Sequence, residues 1–130
     1  MDSYLKNYIN GEWVDSIGGT RHEVISPSTE EPCTEIMLGT KADVDAAVAA
    51  AKEAGKAWSQ TSREQRLAVM DRIVEEYKKR VADLAKSMAN EMGAPVSFAS
   101  TAQVGAGIGA FLGTMAAHKD FSFGEMMGAN

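Results

Sequence analysis

At Gly39-Thr40 the spacing of apolar residues changes from a period of about two to a period of about 3.6. This switch limits the chain to a strand-rich segment followed by a helical one. Strands are expected over about residues 5–40, helices over about 41–119, and an aperiodic tail over 120–130. In Tyr8-Ile9-Asn10-Gly11-Glu12-Trp13-Val14, an Asn-Gly pair lies between apolar and aromatic residues. Both turn residues must take positive φ there, so the segment predicts a tight hairpin. Gly18-Gly19 marks a second turn, ahead of a strand over 20–25. Pro27-Ser28-Thr29-Glu30-Glu31-Pro32 marks a third, ahead of a strand over 33–38.

Thr40 and Asp43 are spaced as a helix-capping pair. Val44, Val48, Ala51, Gly55 and Trp58 then share one helical face. Thr61-Ser62-Arg63-Glu64 predicts a second capping box, with Thr61 as the cap and Glu64 reaching back. A stripe follows, formed by Leu67, Met70, Val74, Tyr77, Val81, Leu84 and Met88. Lys78-Lys79-Arg80 is either a break in that stripe or a solvated face. Gly93-Ala94-Pro95 closes the region, because Gly ends helices readily and Pro cannot continue them. Residues 96–119 again read as helix. Gly105, Gly109 and Gly113 recur every four residues and predict a smooth strip packed on another backbone. In a helix each Gly costs about 1 kcal/mol relative to Ala, and close packing would offset that.

The chain has 130 residues, the size of one small domain, with ordinary hydrophobic (45%) and charged (24%) content. Net charge is −5 and no basic block stands out, so nucleic acid is not an expected partner. Cys33 is the only cysteine, which rules out an internal disulfide and fits a reducing compartment. Residues 1–10 carry no apolar run behind a basic start, so no signal peptide is expected. The longest weakly polar stretch, residues 104–117, is shorter than the roughly 20 apolar residues of a membrane span. A soluble cytoplasmic protein with no membrane partner is the expectation.

The residues offer little chemistry by themselves. Gly105-Ala106-Gly107-Ile108-Gly109 looks like a nucleotide loop, but such a loop needs a strand before it and a helix opening within it. Here a helical pattern precedes it and the third Gly is misplaced, so helix packing is the better reading. Cys33 lies beside Pro32, Thr34 and Glu35, and an adjacent acid opposes a thiolate. It reads as a spectator in a strand. His22 and His118 stand alone, without metal-ligand spacing. Trp13 and Trp58 read as core or interface anchors.

The order of these segments resembles the N-terminus of the aldehyde dehydrogenase superfamily. The matching pieces are Tyr8-Ile9-Asn10-Gly11-Glu12-Trp13-Val14, then Ile25-Ser26-Pro27-Ser28-Thr29-Glu30-Glu31. They continue with Gly39-Thr40-Lys41-Ala42-Asp43-Val44-Asp45-Ala46-Ala47-Val48, Trp58, Arg66, Leu67, Ile73 and Glu91-Met92-Gly93-Ala94-Pro95. Ser26, Glu30 and Ala94 stand where the family often has Asn, Gly and Lys.

The resemblance implies an α/β family fold, of which this chain would supply an α+β piece. Residues 1–130 would form a single partial domain, the N-terminal part of the NAD(P)-binding domain. It implies an oligomeric enzyme, several times longer, that oxidises a small-molecule aldehyde with NAD or NADP through a cysteine thioester. The family's catalytic asparagine, glutamate and cysteine, and its dinucleotide contacts, would lie beyond residue 130. No catalytic or cofactor-binding role then falls on any residue present, and no cofactor is expected on this chain alone. Some members hold a monovalent cation, and the matching positions are Val24, Ile25 and Gln103. The competing reading is a non-catalytic, self-associating interaction module or a truncated gene product.

Overall fold

Before Gly39 the computed structural model, which describes residues 2–124, places five short strands among those residues. They are β1 (Asp2–Tyr4), β2 (Lys6–Ile9), β3 (Glu12–Asp15), β4 (Thr20–Ile25) and β5 (Pro32–Leu38). β2 and β3 form a hairpin, with Tyr8 opposite Trp13 and Ile9 opposite Glu12. Asn10 (φ 54°) and Gly11 (φ 84°) make the turn, as the Asn-Gly pair requires. The Tyr8 and Trp13 rings meet with centroids 5.1 Å apart.

The other three strands form a second sheet in the order β1-β5-β4. β4 runs antiparallel to β5, with an irregularity between Val24 and Ile25. β1 runs parallel to β5, pairing Tyr4 with Ile36. β1 begins ahead of the expected boundary near residue 5. Asp2-Ser3-Tyr4 has no alternation of its own, and the strand exists because the free edge of β5 receives it. In the β4–β5 turn, Glu30 takes φ 60° and donates its amide to the Ser26 carbonyl at 2.8 Å. This left-handed position is where the family resemblance has Gly.

After Gly39 come α1 (Lys41–Trp58), α2 (Arg63–Lys79) and α3 (Val81–Met92). Thr40 caps α1 and forms the expected box with Asp43. The α2 cap falls one residue later than expected, on Ser62 with Gln65. The reason is that Thr61 is already engaged. Its hydroxyl donates to the Trp58 carbonyl at 2.7 Å and accepts from Arg66 Nε at 2.9 Å, which closes the end of α1. Glu64 instead accepts from the Ser62 hydroxyl at 2.8 Å. Lys78-Lys79-Arg80 turns out to be both of its alternatives. The helix breaks at Arg80 (φ −108°, ψ 10°), while Lys78 and Lys79 pair with Glu75 and Glu76 in solvent. Gly93 ends α3 at φ 70°, and a Cβ there would also lie 2.7 Å from the Pro27 ring.

The last helical stretch has three parts: α4 (Val96–Phe98), a π turn (Ala99–Gln103) and α5 (Val104–Asp120). Ala85, Ala99 and Val104 form the buried core, packed by Tyr77, Val81, Leu84, Met88 and Ala94. The lower half of the predicted stripe therefore converges on the π turn. The inward face of α5 is Val104, Gly107, Ile108, Phe111, Met115 and His118.

Two expectations fail on this helix. Gly105, Gly109 and Gly113 lie on the opposite face, and a Cβ at any of them would meet nothing within 4 Å. The bulky apolar side chains decide which face turns inward, and the glycines take the other. The glycine that does make room is Gly107, where a Cβ would collide with the Tyr77 hydroxyl. That hydroxyl donates to the Val104 carbonyl at 3.1 Å. The second failure concerns length. Val96–Asp120 runs as 25 helical residues, long and apolar enough by length and composition to cross a membrane. The weakly polar stretch over 104–117 understates it because the residues just before it, though several are polar, carry no charge and continue the same helix. Ser100 and Thr101 donate to the Val96 and Ser97 carbonyls of their own helix at 2.6 and 2.7 Å. Residue 1 and residues 125–130, including Met126 and Met127 of the expected tail, lie outside the described residues.

Candidate functional site

The three candidate cation ligands come from the end of β4 and from the π turn. Val24 and Ile25 flank the irregularity at the end of β4, and Ile25 is 48% exposed. Gln103 closes the π turn, which packs on α3, α4 and α5. α3 contacts both β5 and the π turn. The Val24 carbonyl already accepts from the Cys33 thiol at 3.3 Å. Gln103 Oε1 is shut from solvent and has no hydrogen-bond donor among the described residues. A buried amide oxygen without a donor is an unsatisfied acceptor, which a cation or an N–H group could meet.

Cys33 lies between β4 and α3. Its thiol lies 3.3 Å from the Val24 carbonyl on β4 and 3.8 Å from the Asn90 carbonyl on α3. Both partners are backbone carbonyl oxygens, and neither can serve as the general base that a nucleophilic thiol needs. Residues 105–109 are helical throughout and follow the π turn, so they form no phosphate loop. His22 pairs across the sheet with Ile36. His118 sits at the end of α5, edge-on to Phe123 with centroids 5.0 Å apart. Among the described residues, no group of three or more His, Cys, Asp or Glu side chains is placed to hold a metal ion.

A polar cleft of about 560 Å³ lies where α2 begins and α5 ends, and Arg63, Arg66, His118, Phe121 and Phe123 line it. Two guanidinium groups beside aromatic rings suggest an anion site, but both already donate to backbone carbonyls of the fold. Arg66 donates to Thr61 Oγ1 (2.9 Å) and to the Trp58 and Ser59 carbonyls (3.2 and 3.3 Å). It also lies 5.7 Å above the Trp58 ring. Arg63 donates to the Phe121 carbonyl (3.3 Å) and stacks on Phe123 at 5.1 Å. His118 Nε2 is closed off from solvent. Both cations cap carbonyls at helix C-terminal ends, where positive charge is favoured. The cleft is a brace.

The polar cluster around Asp43 is also structural, and sequence spacing predicts only its helix cap. Asp43, 5% exposed, accepts from the Ser16 hydroxyl (2.5 Å), the Ile17 amide (2.9 Å) and the Thr40 amide (2.7 Å). The Thr40 hydroxyl also lies 3.2 Å from the carboxylate and donates to the Ile17 carbonyl at 3.0 Å. The Ser16 hydroxyl, followed by the Ile17 and Thr40 amides, lowers the Asp43 pKa from 3.8 to about 2. Gly19 leaves room for this cluster, since a Cβ there would fall 2.6 Å from the Leu38 carbonyl and collide with Ser16. No spacing rule links Ser16 to Asp43, so sequence reasoning had no signal for the wider cluster.

Comparison with known proteins places the chain among dehydrogenases. Residues 13–127 match the model of the aldehyde dehydrogenase family. The chain is 40% identical over 129 residues to a 3-succinoylsemialdehyde-pyridine dehydrogenase of a Pseudomonas species, covering 98% of this chain and 27% of that protein. Its fold superposes on an aldehyde dehydrogenase from Bartonella henselae with a TM-score of 0.92 and 43% identity, over 95% of this chain and 26% of that one. Aldehyde dehydrogenase C from Pseudomonas syringae, solved with NAD+ and octanal, gives 0.91 and 35%, again over 95% and 26%. The chain thus spans about a quarter of the length of the curated relatives it matches, at their N-terminal part.

Proposed function

The chain belongs to the aldehyde dehydrogenase family, and from that premise we propose that it is the N-terminal portion of an enzyme that oxidises an aldehyde to a carboxylic acid with NAD+ or NADP+. The observation that carries this reading is the superposition at 43% identity and a TM-score of 0.92. Relatives solved with NAD+, one of them also with octanal, support the cofactor and the substrate class.

In the proposed enzyme a cysteine thiolate would add to the aldehyde carbonyl, loss of hydride to the nicotinamide would leave a thioester, and water would release the acid and return the thiol. That cysteine is not Cys33, whose thiol faces two backbone carbonyls. The residues described here would act as scaffold, the N-terminal part of the NAD(P)-binding domain. Their only glycine-rich run lies inside a helix and offers no cradle for a pyrophosphate. The candidate cation position at Val24, Ile25 and Gln103 belongs to the proposal, supported by the unpaired Gln103 oxygen. A cytoplasmic homo-oligomer without nucleic-acid or membrane partners completes it.

The test is direct. The 130-residue chain is mixed with NAD+ or NADP+ and a panel of aldehydes, and absorbance of reduced cofactor is followed. No turnover is expected. Turnover that disappears in Cys33→Ser would overturn both the inactivity and the spectator role of this thiol. If the coding frame continues past Asn130, its full product should reduce NAD(P)+ only when an aldehyde is present.

A second reading, a self-associating module without catalysis, draws on one observation. Val44, Val48 and Trp58 on α1 are 59%, 47% and 47% exposed, although the sequence pattern marks them for burial. Sedimentation of the 130-residue chain should then show dimers or larger species. A sharp monomer boundary at micromolar concentration would sink this reading.

A further inference from the structure

We draw no further inference here: the strongest candidate, the alanine-lined trough along α1 between Tyr8 and Trp58, is an unpartnered helix face, and nothing in the structure shows what covers it.

Discussion

The two ends of this chain are held by different forces. The strand region and the start of α1 are fastened by polar contacts, with one carboxylate, Asp43, gathering the Ser16 hydroxyl and the Ile17 and Thr40 amides. The helical region is fastened by packing, with Ala85, Ala99 and Val104 enclosed by larger apolar neighbours. Polar fastening is directional and depends on pH. Packing depends on volume and is indifferent to pH in this range. The same chain should therefore fail differently at its two ends.

The largest effect is expected at Gly107. Replacing it with Leu drives a side chain into Tyr77 and displaces the hydroxyl from the Val104 carbonyl. The expected loss is about 3 kcal/mol, read from denaturant melts by helical circular dichroism. A loss below about 0.5 kcal/mol would mean that packing around the π turn is loose, and the contrast between the two regions would weaken.

The next effect tests the polar end. The Asp43 pKa is depressed to about 2, so its contribution is complete above the ordinary carboxylate value of 3.8. It fades as pH falls through about 2. Melting temperature should drop over that window in the wild-type chain, and Asp43→Asn should flatten the dependence while lowering stability at neutral pH. An unchanged acid profile in the variant would assign the loss to other carboxylates.

The smallest effect sharpens the comparison within a single helix. Gly109→Leu points into open space and should raise stability by roughly 0.5–1 kcal/mol, through helix propensity alone. A loss comparable to that of Gly107→Leu would show that the 130-residue chain packs this face against something in solution.

Where structure follows from neighbours in sequence, it was legible. The Asn10-Gly11 turn, the β4 boundaries, the Thr40–Asp43 cap and the Gly93 stop all rest on residues a few positions apart. What depended on distant partners was not. β1 is a strand because of β5, and the α2 cap moved because Thr61 serves α1 and Arg66. On α5, periodicity marked the wrong glycines, since a four-residue spacing is visible in sequence and the position of Tyr77 is not. The candidate cation position came from resemblance alone. No spacing within the chain links Val24 to Gln103, which sit on different elements.

The Asp43 cluster also bears on how this chain could be divided. The change of period at Gly39-Thr40 invites a cut there, with the strands on one side and the helices on the other. Such a cut would separate the Ser16 hydroxyl and the Ile17 amide from the carboxylate that receives them. A chimera that borrows the strand region from a relative has to carry the first turn of α1 with it. The seam for grafting therefore lies after Asp43, inside the helix, and not where the sequence pattern breaks.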